Sequence, residues 1–279
     1  MQERTTLTAP CSHNFGRYEV TCFCDGVFQA PIGALIHIDG ETARQSVIAE
    51  WGNPNIQLDV NFYALRDTNG ITLVDTGGGP SLGPSFGLAR IAMRDAGILP
   101  EDVSHVLLTH IHDDHVFGLF DGSLPYFANA EVLVPETDMA FFLDPAAREA
   151  TPEARRGGFS VAERLQETYG TRIQKCPEGH VLPGIEARRL PGHTPGHTGY
   201  LLHGNDDTLF IWGDVLHLGA LQSRDPNIGM IYDLSPVVAA TTRQTALEHA
   251  ARGGWAVAGG HIGFGRVHCM EDGYRISEL

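Results

Sequence analysis

The chain has 279 residues, 42% of them hydrophobic and 19% charged, which supplies a large packed core and excludes a disordered or fibrous chain. Nineteen Lys and Arg against 34 Asp and Glu give a formal charge of -15, which excludes phosphate backbones and anionic lipid surfaces as expected partners. No apolar run approaches the roughly 18 residues needed to cross a bilayer. Met1 to Pro10 lack the basic-then-apolar order of a signal peptide. The five cysteines (Cys11, Cys22, Cys24, Cys176 and Cys269) are odd in number and without a framework spacing. A protein of the reducing cytoplasm is the expectation.

In chain order, alternation over Tyr18 to Cys24 predicts a strand. Val60 to Arg66 and Ile71 to Asp75, with Asp67 to Gly70 between them, predict a hairpin. Gly77 to Pro80 breaks the chain, and Gly87 to Ala96 reads as a helix stopped at Gly97. His105 to Thr109 is a short strand, Glu131 to Val134 another, and Glu136 to Phe142 a helix. Thr151 to Tyr169 reads as a helix interrupted by Gly157-Gly158, with the character of a flap. Ile185 to Leu190, Tyr200 to Leu202 and Leu209 to Trp212 are strands, each followed by Gly, His or Asp. Pro236 to Ala251 is a helix with Val237, Ala240, Leu247 and Ala251 broadly on one face, and Trp255 to Ala258 is a last strand. With strands and helices mixed throughout and no linker, residues 1–279 read as one α/β domain.

Chemistry concentrates where strands end. The run His110-Ile111-His112-Asp113-Asp114-His115 offers three imidazoles and, in Asp114, a carboxylate, donors of the kind that hold zinc. In Pro191-Gly192-His193-Thr194-Pro195-Gly196-His197 two histidines four apart do not both easily face one ion, so one is read as a ligand and the other as structural. Phe210 to Asp214 is an apolar strand ending in a lone carboxylate, either a turn Asp or a ligand. His261 follows a strand amid glycines, where an ordinary loop histidine is the simpler reading of that stretch alone. Cys22 and Cys24 have the spacing of a metal clip, but without partner cysteines strand packing explains them better.

Together these stretches resemble the metallo-β-lactamase superfamily. The His-x-His-x-Asp-His hallmark stands at His110 to His115, and Leu73 to Gly77 is similar to the family's early strand motif. The resemblance spans roughly residues 60 to 265 and implies an αββα sandwich holding two divalent metal ions, with zinc favoured over iron, manganese or cobalt. It implies that His110, His112 and His197 hold one ion, that Asp114, His115 and His261 hold the other, and that Asp214 bridges them. Asp75 would steer a ligand imidazole by hydrogen bond, and His193 would be structural. Such a site, with a charge of about +2 once both ions are bound, forms a bridging hydroxide near neutral pH. Asp114 could then carry a proton to the leaving group.

The resemblance is stronger to methyl parathion hydrolase-like proteins and N-acyl-homoserine lactonases than to other branches. It includes Leu82 to Gly87, Asp225-Pro226, and Gly253 through His261. Glutathione thiolester hydrolases, nucleic-acid processing enzymes, zinc β-lactamases and flavodiiron proteins each lack a match in extension, charge or ligand motif. The implied activity is hydrolysis of a neutral lactone or carboxylic ester through the bridging hydroxide. The alternatives are a phosphotriesterase and a metal-binding sensor without turnover. His217 stands three residues after Asp214, where lactonases of this group resemble one another in carrying tyrosine. It either donates a hydrogen bond to a carbonyl or departing alkoxide or is an ordinary loop histidine. Leu82, Phe86, Phe117, Phe141 and Phe142 are candidates for an apolar pocket wall or for core. A small molecule is the expected partner, and exposed N-terminal strands suggest a homodimer.

Overall fold

A computed structural model of the chain describes residues 9–204 and 207–279. Residues 1–8 of the polar N-terminus lie outside the described residues. Two seven-stranded sheets face each other. The first runs, in spatial order, Cys11–Phe15, Tyr18–Pro31, Asn55–Asp67, Gly70–Val74, Val103–Leu107, Glu131–Pro135 and Ile173–Cys176. The second runs Gly179–Leu182, Ile185–Arg189, Thr198–His203, Thr208–Ile211, Ala256–Ala258, Gly265–Cys269 and Tyr274–Glu278. The first sheet is antiparallel over its first four strands and parallel from Gly70–Val74 through Val103–Leu107 and Glu131–Pro135 to its edge strand Ile173–Cys176, and the second is antiparallel except where Thr208–Ile211 lies beside Ala256–Ala258.

Strand alternation divides the apolar residues into three layers. Val74 and Leu107 of the first sheet meet Leu209, Ile211 and Ala258 of the second in the middle layer. Their chain neighbours Leu73 and Val106 point the other way, onto Ala89 and Met93 of the helix Ala89–Asp95 and Phe159 and Leu165 of the helix Gly157–Tyr169. Phe210 and Val257 point outward onto Ala246, Leu247 and Ala250 of the helix Pro236–Gly253. Helices thus cover both outer faces, which makes the αββα sandwich. Among the described residues, no helix is long and apolar enough to cross a membrane.

Two local expectations are corrected, and one helix was missed. Gly157-Gly158 does not interrupt a helix; it begins one, after a short 3-10 turn at Glu153–Arg155. Gly158 is required there because a Cβ would lie 2.4 Å from the Phe142 ring and 2.8 Å from the Ile111 carbonyl. Val237 is 63% exposed, since the buried stripe of its helix runs through Ala239, Ala240, Arg243, Ala246, Leu247 and Ala250 instead. A helix at Glu41–Trp51 was not legible, because Val47 alone among its residues is buried. That helix packs with Leu35, Ile56, Leu58, Leu218 and Met230 in a satellite core beside the site.

Candidate metal centre

Strand ends deliver the functional side chains. Asp75 follows Gly70–Val74, the histidine run follows Val103–Leu107, Asp214 follows Thr208–Ile211, and His261 follows Ala256–Ala258. Asp75 holds the one positive φ (59°) of a non-glycine residue among those described. That turn lets its carboxylate accept three hydrogen bonds, from the Thr109 backbone N–H and hydroxyl (2.8 Å each) and from His115 Nδ1 (2.8 Å). Asp75 therefore orients His115.

Two clusters form around Asp214. In one, His110 Nε2 lies 3.1 Å from His112 Nδ1, which lies 2.9 Å from His193 Nε2. Around a tetrahedral ion with bonds of about 2.0–2.1 Å, ligand nitrogens stand about 3.3 Å apart, so the three nitrogens have close to the spacing of a shared cation. In the other, His115 Nε2 is 3.7 Å from Asp114 Oδ2, His261 Nε2 is 3.6 Å from the same oxygen, and Asp214 Oδ1 is 3.2 Å from His115 Nε2. Asp214 reaches both, with Oδ2 at 3.4 Å from His193 Nε2 and 3.1 Å from His261 Nε2. The ligand atoms of His110, His112 and His193, of His110, His115 and Asp214, and of Asp114, His115 and His261 lie within 4.8 Å of one another in each group.

The far nitrogens are fixed so that the near ones are free. His110 Nδ1 donates to Thr109 Oγ1, His193 Nδ1 to Asp233 Oδ1 and His261 Nδ1 to the Asp59 carbonyl. His115 Nε2 and Asp214 Oδ1 are buried without a hydrogen-bond partner. Two facing orphans of this kind are costly unless a cation joins them, so the residues present fit a metal. A Cβ at Gly260 would lie 2.5 Å from Asp214 Oδ1 and 2.6 Å from His115, so glycine there keeps the space open.

Electrostatics separates the two clusters. Burial, then the neighbouring imidazoles, pushes His110 and His112 well below the usual histidine range, leaving their nitrogens bare. Burial also opposes charge on His115, but Asp214, Asp114 and Asp75 outweigh it and raise His115 well above that range. Burial would raise Asp214, yet His261 and His115 hold it well below the carboxylate range. The carboxylate-rich cluster attracts positive charge, and the imidazole-rich cluster offers neutral donors.

One expected ligand is corrected. His197 does not join either cluster, because both its nitrogens are taken by backbone. Nδ1 donates to the Leu190 carbonyl (2.9 Å), and Nε2 accepts the Asp214 N–H (2.9 Å). Burial lowers it to about 3, so it stays a neutral bracket between two loops. His193, expected to be structural, occupies the ligand place. Asp138 sets this loop: its carboxylate accepts from the Thr194 hydroxyl (2.7 Å), Gly196 N–H (2.5 Å) and Ile111 N–H (3.2 Å). Neither Asp138 nor Asp233 carried any sequence signal, since both lie far along the chain from the residues they hold.

A cavity of about 410 Å³ opens over the clusters, walled by Phe28, Leu58, Ile231, Tyr232 and Leu234 beside His112, Asp114, His193, Asp214, His217 and His261. The five expected wall residues are not among those lining it. Leu82 packs over Gly78 and Phe86 over Gly26. Phe117 lies beneath the Arg164 guanidinium, and Phe141 and Phe142 pack tilted and edge-on against Phe159 in the core. His217 does face the cavity, with Nε2 at 3.3 Å from Asp214 Oδ2, its backbone N–H bonded to Gln222 (2.7 Å) and Nδ1 buried without a partner. Cys22 and Cys24 lie on a strand away from the clusters, and burial pushes their thiols up to about 12 and about 11.

The pattern of the metallo-beta-lactamase superfamily matches residues 56–261, from the first strand of the hairpin to the last cluster histidine. The chain belongs to that superfamily. It is 31% identical over 145 residues to uncharacterized protein YobT of Bacillus subtilis, covering 51% of this chain and 56% of that protein. It is 28% identical over 169 residues to an N-acyl homoserine lactonase of a Bacillus species, covering 53% and 59%. The chain spans from 33% to 61% of the length of these and the other curated superfamily relatives it matches. Among solved structures, a hydrolase of the superfamily named AbOPH superposes with a TM-score of 0.89 at 22% identity over 99% of both chains. AidC, described as a dizinc quorum-quenching lactonase, superposes with a TM-score of 0.84 at 19% identity over 98% of both. At such identities the superfamily fold is what these structures share with the chain.

Proposed function

We propose that the chain hydrolyses a neutral lactone or carboxylic ester at a centre of two divalent ions, most simply zinc. It is a metal-dependent hydrolase in this reading, and one observation carries it. Two ligand clusters share Asp214 at the floor of a cavity whose wall is largely apolar. His110, His112 and His193 would hold one ion, Asp114, His115 and His261 the other, and Asp214 both. When bound, the ions supply activated water at neutral pH and polarise the carbonyl.

The chain's own residues do the rest. Phe28, Leu58, Ile231 and Leu234 take the apolar part of the substrate and exclude water. His217 Nε2–H faces Asp214 and the cavity, where it can donate to the carbonyl oxygen or to the alkoxide that departs. The half-buried Asp114 carboxylate, also on the cavity, can take a proton and return it to that alkoxide. The relative named N-acyl homoserine lactonase supports the lactone reading.

The test is turnover of γ- and δ-lactones, aryl acetates and neutral phosphotriesters by zinc-loaded protein, with and without chelator. Metal-dependent hydrolysis of lactones or esters above triesters is expected. Triesters preferred over every lactone and ester, or no turnover at all, would contradict it.

A further inference from the structure

We propose that Arg155 is a specificity-determining residue that binds a carbonyl oxygen on a short substituent beside the group being hydrolysed; this rests on the lactone or ester reading. Arg155 is the one Lys or Arg among the residues lining the cavity, in a chain of charge -15. Apart from Asp113 and Tyr232, the other polar side chains of the wall are His217 and the metal-cluster residues. No carboxylate among the described residues lies within ion-pair distance, 4.0 Å, of the Arg155 guanidinium. Its one acceptor among them is the Asp233 carbonyl, at 3.3 Å. Guanidinium carries five N–H donors in a planar fork, so most of its capacity is unused. The neighbouring Arg156 differs, being bound to the Thr151 and Glu149 carbonyls at 2.6 and 3.0 Å.

Position sets the reach. Asp233 holds Arg155 through its carbonyl and His193 through its carboxylate, the latter at 3.0 Å. The guanidinium therefore sits one residue's span from a metal-cluster imidazole. Arg155 and His193 line the same cavity, so a substrate at the metal cluster can present a substituent to the guanidinium. Asp113 and Asp114 line the same cavity and repel an anion, so a neutral carbonyl oxygen suits the site better than a carboxylate.

The experiment compares α-acetyl-γ-butyrolactone with α-isopropyl-γ-butyrolactone, which have similar shape and differ by the acceptor oxygen, on zinc-loaded wild type, Arg155→Met and Arg155→Lys. Arg155→Met should lower the acetyl-to-isopropyl ratio of kcat/KM by about tenfold or more, through KM for the acetyl compound, with Arg155→Lys recovering part of it. Equal losses on both lactones, as a mere strap to Asp233 would give, overturn the proposal. If neither lactone is turned over, the lactone reading fails by itself. Calorimetric binding of the same two compounds then decides: preference for the acetyl compound lost in Arg155→Met supports the proposal, and an unchanged ratio overturns it.

Discussion

Asp233 Oδ1 lies 3.0 Å from His193 Nδ1, and Asp233 Oδ2 lies 3.3 Å from the guanidinium of Arg243, all three side chains being buried. Arg243 also bonds the carbonyls of Val215, Pro226 and Ile228, so a helix on one face of the sandwich is tied to an imidazole at its centre. Burial opposes charge on Asp233, but His193 and Arg243 outweigh it and lower the carboxyl to about 2.

Replacing Asp233 with Asn is expected to weaken metal binding by about 10- to 100-fold, the usual cost of losing the carboxylate behind a ligand imidazole. Zinc competition against a chromophoric chelator reads this directly. Affinity unchanged in Asp233→Asn would show that His193 needs no such support.

His193→Ala and His197→Ala separate ligand from bracket. His193→Ala should lose about one ion per chain, and its apo-protein should also melt earlier because buried Asp233 Oδ1 loses its partner. His197→Ala should keep both ions and melt earlier, since the Asp214 N–H and Leu190 carbonyl lose their partner at about 1–3 kcal/mol each. Metal analysis with calorimetry checks both, and the opposite pattern would return His197 to the ligand set.

The histidine run was legible because ligand spacing within six residues is local, whereas Asp214 and His261, which read alone as a turn carboxylate and a loop histidine, were singled out only through the superfamily resemblance. The choice between His193 and His197 was not legible, since both are histidines in one Gly-Pro loop. What decides it is a backbone bond: Leu190 N–H to the His197 carbonyl at 2.7 Å puts His197 at the start of the strand ladder and leaves His193 in the loop over the site. The cavity wall was illegible for a different reason. Phe28, Leu58 and Ile231 come from segments far apart in sequence, whereas Phe117 and Phe142, close to ligand motifs or in the same layer, are spent on core.

Gly260→Ala should fold yet bind less metal. Its new Cβ would press Asp214 Oδ1 and His115 out of the carboxylate-rich cluster, leaving the His110, His112 and His193 nitrogens in place. Metal stoichiometry should fall toward one while circular dichroism stays that of the wild type; full metal content would show that the cluster tolerates the shift.

Asp138 gives a pH signature. Burial raises its carboxyl to about 6 from 3.8, despite the bonds from Thr194, Gly196 and Ile111. A folded-state value above the unfolded one means that its stability contribution is complete below about 3.8 and is lost as pH rises through about 6. The melting-temperature advantage of wild type over Asp138→Asn should therefore be largest near pH 4, shrink toward pH 6 and level off above it. An advantage that grows across that window would contradict the assignment.

The most direct test of two ions sharing Asp214 is metal analysis by inductively coupled plasma on protein purified without chelators, wild type beside Asp214→Ala. Close to two divalent ions per wild-type chain and no more than one in Asp214→Ala is the expected result. One ion or fewer in the wild type, or two retained without Asp214, would contradict the shared centre.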